Sequence, residues 1–261
     1  MLQGDVTPLG LAASLLLVGV AVGVSLWQRL GLGRRVAWAS VRAMVQLLLV
    51  GAGLALVIDP SRPLAWSWLW VAAMTVYAGD VVRRRAPEIP RLLPLATFAF
   101  AAAGAITLGT LFALGIFPME GRTVVPLAGM MIGNAMNATV LTARRTVEEL
   151  RDKRAEVETR LALGNDARAA SRPYLAAALR TALIPQIETT KAVGLVFLPG
   201  AMTGLILAGV HPVDAVLVQA VVMFLVLGTV ATTSSIIGIG LIRRLFTPDH
   251  RLTHLPRPAD T

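Results

Sequence analysis

The sequence predicts an all-α, polytopic membrane protein with about seven transmembrane helices and a cytoplasmic helical platform between the fifth and sixth. Three observations carry this. Of 261 residues, 56% are hydrophobic and 15% charged, with a mean hydropathy of +0.70, well outside soluble usage. Apolar runs of about 20 residues, enough to cross a hydrocarbon core about 30 Å thick, recur along the chain. Lysines and arginines fall in alternate connections between those runs, as the positive-inside rule requires.

The runs cover Pro8 to Trp27, Val36 to Ile58, Leu64 to Val82, Leu92 to Phe117, Thr123 to Leu141, Ala192 to Val210 and Val213 to Ile242. The first has Asp5 on its outer flank, no basic residues before it, and Arg29, Arg34 and Arg35 after it, the pattern of a retained anchor and not a cleaved signal. One set of connections carries those three arginines, then Arg83, Arg84, Arg85 and Arg91, then the long segment ending near Lys191, then Arg243, Arg244, Arg251 and Arg257. The other set holds Arg62 and Arg122. An odd number of spans places the N-terminus outside and the C-terminus in the cytoplasm, in a multi-pass inner (plasma) membrane protein. The net charge of +9 is therefore a topology signal and not a nucleic-acid footprint.

In the second span Arg42 and Gln46 share a face, and in the third Asp80 lies near the cytoplasmic end beside Thr75 and Tyr77. Arg42 and Asp80 can pair, or each can snorkel to the interface. The fourth span is long, and Gly104, Gly109 and Gly115 permit close packing or bends. In the fifth, Met130, Asn134 and Asn137 fall on one face beside a Gly129 and Gly133 seam, with Met131 adjacent. Two readings are open there: interhelical amide bonds and close packing, or the lining of a substrate path.

The platform, residues 142–191, is helical in pattern. Val147, Leu150, Val157 and Leu161 recur at helical spacing, with opposite charges four residues apart at Glu149 and Lys153, Arg154 and Glu158, and Glu156 and Arg160. A first helix is predicted from about Thr146 to Leu163, ended by Gly164, where a left-handed residue is needed. A polar turn at Asn165 and Asp166 leads to a second helix carrying Tyr174, Leu175, Leu179 and Leu183, with a break or kink at Pro185. In the sixth span Pro199, Gly200 and Gly204 surround Met202 and Thr203, predicting a break whose carbonyls can either bind a cation or only kink the helix. In the last span the Thr232, Thr233, Ser234 and Ser235 hydroxyls are expected to bond back to their own helix. Residues 1–245 are read as a single permease domain. Residues 246–261, with three prolines and no periodicity, are read as a disordered tail.

Several chemistries are excluded. Cysteine is absent, which removes disulfides, thiolate metal ligands and iron–sulfur clusters. Lys153 and Lys191 follow Asp152 and Thr190, so there is no phosphate-binding Gly-Lys-Ser/Thr motif. His211, His250 and His254 lie in an outer turn and the tail, not in a helical zinc motif or a triad. The last span has no lysine, which rules out a retinal Schiff base. The chain is read as a transport subunit and not as an enzyme, and a metal-ligand set is not identifiable.

The run from Gly129 to Thr139 (Gly-Met-Met-Ile-Gly-Asn-Ala-Met-Asn-Ala-Thr), Leu161 to Gly164, Ala182 to Pro185, Val193 to Leu195 and Leu198 to Gly204 together resemble the FetB family of ABC-transporter permeases. That family is described as exporting iron and has plant relatives linked to aluminium tolerance. The sequence departs from the family pattern at Ala201 and Leu205, where methionine and glutamine are common. The resemblance implies a metal-exporting permease that dimerises in the bilayer and is driven by a separate ATP-binding subunit. ATP and Mg would then sit on that partner, with no cofactor on this chain. It also implies that Leu163, Gly164, Asn165 and Asp166 form a coupling turn for the ATPase. Gln46, Asp80, Met130, Met131, Asn134, Asn137, Met202 and Thr203 remain the candidates for the substrate path. Two other classes stay open: a proton-coupled secondary transporter using Asp80, and a membrane scaffold or receptor.

Overall fold

The computed structural model describes residues 8–59, 61–253 and 255, and within them the chain is helical throughout. It divides into two compact units, Met1–Arg62 and Pro63–Thr261. The first holds α1 (Pro8–Trp27) and α2 (Gly33–Val57), which pair across a tight turn. There the Leu32 N–H donates to Ser25 Oγ at 3.1 Å and Gly31 takes a φ of +68°. Apart from Ser25 and Gly33, their described side chains are exposed or half-buried, as suits helices whose solvent is lipid.

The second unit holds α3 (Ala65–Arg85), α4 (Leu92–Ala113), α5 (Gly121–Asp152), α6 (Arg154–Ala162), α7 (Ala167–Ala192), α8 (Gly200–Leu207) and α9 (Pro212–Leu245). Helix α9 packs against α4, α5, α7 and α8, while α3 packs against α4 and α5. The core is apolar, with Phe100, Met131, Leu150, Ile237 and Leu241 fully enclosed. Among the described residues, α2, α4, α5 and α9 are long and apolar enough to cross a membrane. The chain is a polytopic membrane protein.

Four expectations need correction. First, no helix continues across Ala192–Val210. The chain leaves α7 at Val193, turns through Gly194 (φ +86°) and re-forms only as α8, whose eight residues rise about 12 Å. The break expected near Pro199 is present, as a non-helical stretch over 193–199 that ends with Pro199 at the N-cap of α8. Second, α7 runs unbroken through Pro185. The lost backbone bond is tolerated because the turns before it are held by buried Ala178 and Ala182, and a proline removes one hydrogen bond without ending a supported helix. Third, Thr146 does not begin a new helix. It lies buried inside the 32-residue α5, and the separate element is the short α6, set off by Lys153. Fourth, the tail is ordered as far as it is described. The chain reverses so that Phe246 bridges Leu252 and the Thr253 N–H donates to the Leu245 carbonyl at 2.9 Å, with Phe246, Leu252 and Leu255 buried. Three apolar anchors at irregular spacing leave no periodicity to read. Residues 256–261 lie outside the described residues.

Close helix crossings hold this unit together. At Gly79 of α3 a Cβ would come within 2.3 Å of Thr97 Oγ1 and 3.2 Å of the Thr97 backbone N on α4. Gly79→Val is therefore expected to cost about 1–3 kcal/mol by overpacking, read as a lowered thermal midpoint in detergent. Gly109→Ala, which faces open space on α4, should leave the midpoint unchanged or slightly raised. Equal behaviour of the two variants would refute the crossing as a stability determinant.

Candidate functional site

The α6–α7 connection is a built turn. Helix α6 ends as expected at Gly164, whose φ of +89° suits a residue without Cβ. The Gly164 N–H donates to the Leu161 carbonyl, and both the Asn165 N–H and Asn165 Nδ2 donate to the Arg160 carbonyl at 3.2 and 3.0 Å. Asp166 caps α7, its Oδ1 accepting from the Ala169 N–H at 2.6 Å. The next free N–H, that of Ala167, donates to His250 Nδ1 at 3.2 Å, so the C-terminal segment helps to close the helix start. With these groups occupied, Leu163 stands out at the tip, 77% exposed.

The turn is braced from below. Tyr174 of α7 is buried and donates to Glu156 Oε2 of α6 at 3.0 Å, with the Arg160 guanidinium 6.0 Å from its ring centre. Arg154 donates to the carbonyls of Thr253 and Leu252, each at 3.1 Å, and pairs with Glu158 at 2.7 Å. A cavity of about 660 Å³ lies between the turn and the C-terminal segment, edged by Arg154, Glu158, Asp166, Asp249 and His250. The Lys153 ammonium, 3.2 Å from Glu156, and then the Tyr174 hydroxyl hold the Glu156 carboxyl below the usual range. Burial, and then the bond to Glu156, pushes the Tyr174 hydroxyl up.

The candidate path residues do not form one constellation. Asn134 and Asn137 share an exposed face of α5 with half-buried Met130. Asn134 Nδ2 turns back to the Met130 carbonyl at 2.7 Å, while Asn137 Oδ1 accepts from Arg85 Nη1 of α3 at 2.8 Å. Arg144 in turn donates to the Arg85 carbonyl and lies 3.5 Å from Glu88. Met131 points the other way, buried, with its sulfur 3.2 Å from Thr107 Oγ1, which also receives Thr229 Oγ1 at 3.2 Å. Asp80 is taken up by Arg83 and Arg84 of its own helix at 2.6 and 2.7 Å. Met202 is buried, its N–H donating to Gln219 Oε1 of α9 at 3.2 Å, and Thr203 Oγ1 bonds back to the Pro199 carbonyl. Gln46 is exposed on the first unit. Arg85, Thr107 and Gln219 were not singled out by sequence; Gln219, one amide in an apolar span, carried a legible signal. Among the described residues, no group of three or more His, Asp or Glu side chains is placed to hold a metal ion.

A family model, Uncharacterised protein family (UPF0014), matches residues 8–246. The chain belongs to the UPF0014 family. It is 39% identical over 226 residues to the UPF0014 membrane protein STAR2 of Oryza sativa subsp. japonica, covering 87% of this chain and 79% of that one. It is 36% identical over 235 residues to Protein ALUMINUM SENSITIVE 3 of Arabidopsis thaliana, covering 90% and 84%. It is 32% identical over 249 residues to a protein of Escherichia coli (strain K12) named Probable iron export permease protein FetB, covering 95% of each. No solved structure matches this UPF0014 chain.

The Tyr174–Glu156 tie has a defined pH window. Glu156, lowered on folding, contributes stability above an ordinary glutamate pKa of about 4.3, lost as pH falls through its folded value. Tyr174, raised on folding, contributes below an ordinary phenol pKa of about 10, lost as pH rises through its folded value. The thermal midpoint of Tyr174→Phe in detergent should fall below wild type near neutral pH, the gap narrowing toward both extremes. A gap independent of pH would rule out the tie.

Proposed function

We propose that this chain is the membrane-spanning permease subunit of an ABC transporter that exports a metal, iron in the first instance, driven by a separate ATP-binding subunit. The observation that carries the proposal is the α6–α7 turn. An apolar side chain held out at 77% exposure on a hydrogen-bonded turn is what a partner cleft requires. The likeness to a protein named an iron export permease supplies the substrate class. The arginine-rich helix ends, including Arg83, Arg84, Arg85, Arg243 and Arg244, face the cytoplasm, and ATP and Mg act on the partner. Leu163, Gly164, Asn165 and Asp166 are the coupling residues.

The substrate path is the exposed α5 face of Met130, Asn134 and Asn137, gated at its cytoplasmic end by Arg85. Amide and carbonyl oxygens there can replace water around a cation, and the Arg85 guanidinium must leave Asn137 for the amide to do so. Two copies form the path. The non-helical stretch at Val193 to Leu198, with Leu195 92% exposed, cannot face lipid without cost because irregular backbone is unsatisfied there, and a second copy covers it. Met131, Met202, Thr203 and Gln46 serve packing and helix pairing in this reading. A proton-coupled mechanism through Asp80 is disfavoured by its two arginine partners.

Leu163→Asp tests the proposal. It changes one exposed side chain, so membrane insertion and yield should be retained. Affinity for a co-expressed P-loop ATPase should fall by about tenfold or more, and ATP-driven metal efflux from proteoliposomes should stop. Unaltered binding and efflux would remove the turn from the mechanism.

A further inference from the structure

A second groove, of about 670 Å³, runs between α7 and α9 on the other side of Asp166 and His250. Its two walls carry the same polarity gradient. Along α7, toward its start, the lining residues run Leu179, Leu175, Arg172, Arg168; along α9, toward its end, they run Ile239, Ile242, Arg243. Because α7 begins where α9 ends, as the His250 bond to Ala167 shows, the three arginines gather at one end and the apolar side chains at the other. Arg168, Arg172 and Arg243 form no ion pair among the described residues. The one carboxylate in the lining, Asp166, is engaged in capping α7.

The groove is open along its apolar length, with Ile239 43% exposed, and floored by buried Ile242 and Phe246. Beside the groove, a Cβ at Gly238 would lie 2.5 Å from Leu175 Cδ1, so a larger residue there would displace the Leu175 side chain that lines it. From Ser235 to Phe246 the groove follows α9 for about 16 Å at 1.5 Å per residue, close to half of a hydrocarbon core about 30 Å thick. Arg243 lies in the last turn of α9, an apolar helix long enough to cross a membrane, and arginines at the ends of such helices ordinarily sit in the interfacial region.

We infer that this groove binds one anionic phospholipid, its phosphate held by Arg168, Arg172 and Arg243 and an acyl chain laid along Leu175, Leu179 and Ile239. The charge fits an anion, and the gradient from cationic to apolar over one leaflet fits an amphiphile and not a soluble anion. A bound lipid would wedge the start of α7, and with it the α6–α7 turn, against the end of α9. The inference does not depend on which solute is moved.

The test is native mass spectrometry and thermal shift of the full chain in detergent, with phosphatidylglycerol, phosphatidylcholine and glycerol 3-phosphate as separate probes. Phosphatidylglycerol should be retained with a one-to-one component and raise the thermal midpoint, and phosphatidylcholine should do so about tenfold more weakly. Arg172→Gln combined with Arg243→Gln should remove that difference while helical content stays unchanged. Ile239→Asp, which leaves every arginine in place, should weaken phosphatidylglycerol alone. Equal retention of the two lipids, or no response to either variant, overturns the site. Glycerol 3-phosphate stabilising as well as phosphatidylglycerol overturns the lipid assignment in favour of a soluble anion. Loss of a co-purifying protein from the variants with lipid binding intact would make the groove a protein dock instead.

Discussion

Helices in a bilayer gain no hydrophobic free energy from meeting one another, because lipid tails are as apolar as leucine, so close approach must come from small residues at the crossings. The larger unit depends on that constraint. Gly79 admits Thr97, Gly104 admits Met131, Gly238 admits Leu175 and Gly240 admits Leu95. Every one of these crossings involves α4 or α9. The Met131–Thr107–Thr229 chain exists only because α4, α5 and α9 come this close.

The same constraint explains most of the polar residues inside the helices. Thr75, Thr107, Thr139, Thr229, Thr232 and Thr233 each donate to the carbonyl four residues earlier, which satisfies a hydroxyl without a partner helix. That expectation for the last span is met by Thr232 and Thr233 and not by Ser234, whose buried Oγ has no hydrogen-bond partner. Asn134 behaves likewise, turning to its own Met130 carbonyl. Asn137 differs because it reaches another helix and meets a guanidinium. Sequence spacing could group Asn134 with Asn137, since both lie on one α5 face, but it could not separate them. The distinction lies in α3, where Arg85 falls opposite Asn137.

Legibility therefore followed the range of the cause. Gly164 was readable because a helix end needs a left-handed residue locally, and α2, α4, α5 and α9 because apolar length is local too. The break read at Pro185 is absent because buried Ala178 and Ala182 hold the turns before it. The junction near Thr146 misled because the polar, charged half of α5 looks like a separate element, although its Thr146, Val147 and Leu150 are as buried as the inward residues of the apolar half. The placing of Leu252 and Thr253 involves contacts from Arg154, some hundred residues away in sequence, which no local pattern encodes.

That distant contact bears on how a force applied at Leu163 would travel. Helix α6 is separated from α5 by the single residue Lys153, so it can tilt without bending the long helix before it. Its movement is resisted at three points: Tyr174 on α7, and the carbonyls of Leu252 and Thr253, the Thr253 N–H in turn donating to the Leu245 carbonyl at the end of α9. On the permease reading, displacement of the turn is carried to α7 directly, because turn and helix are continuous, and to α9 through a segment that sequence alone marked as a tail. Helix α7 leads on through the break at 193–199 to α8, and α8 is tied to α9 by Met202 and Gln219. Both routes thus converge on α9 from opposite ends. A shift of the turn would then move α7 and α8 along α9, against the seat that Gly238 gives to Leu175 of α7.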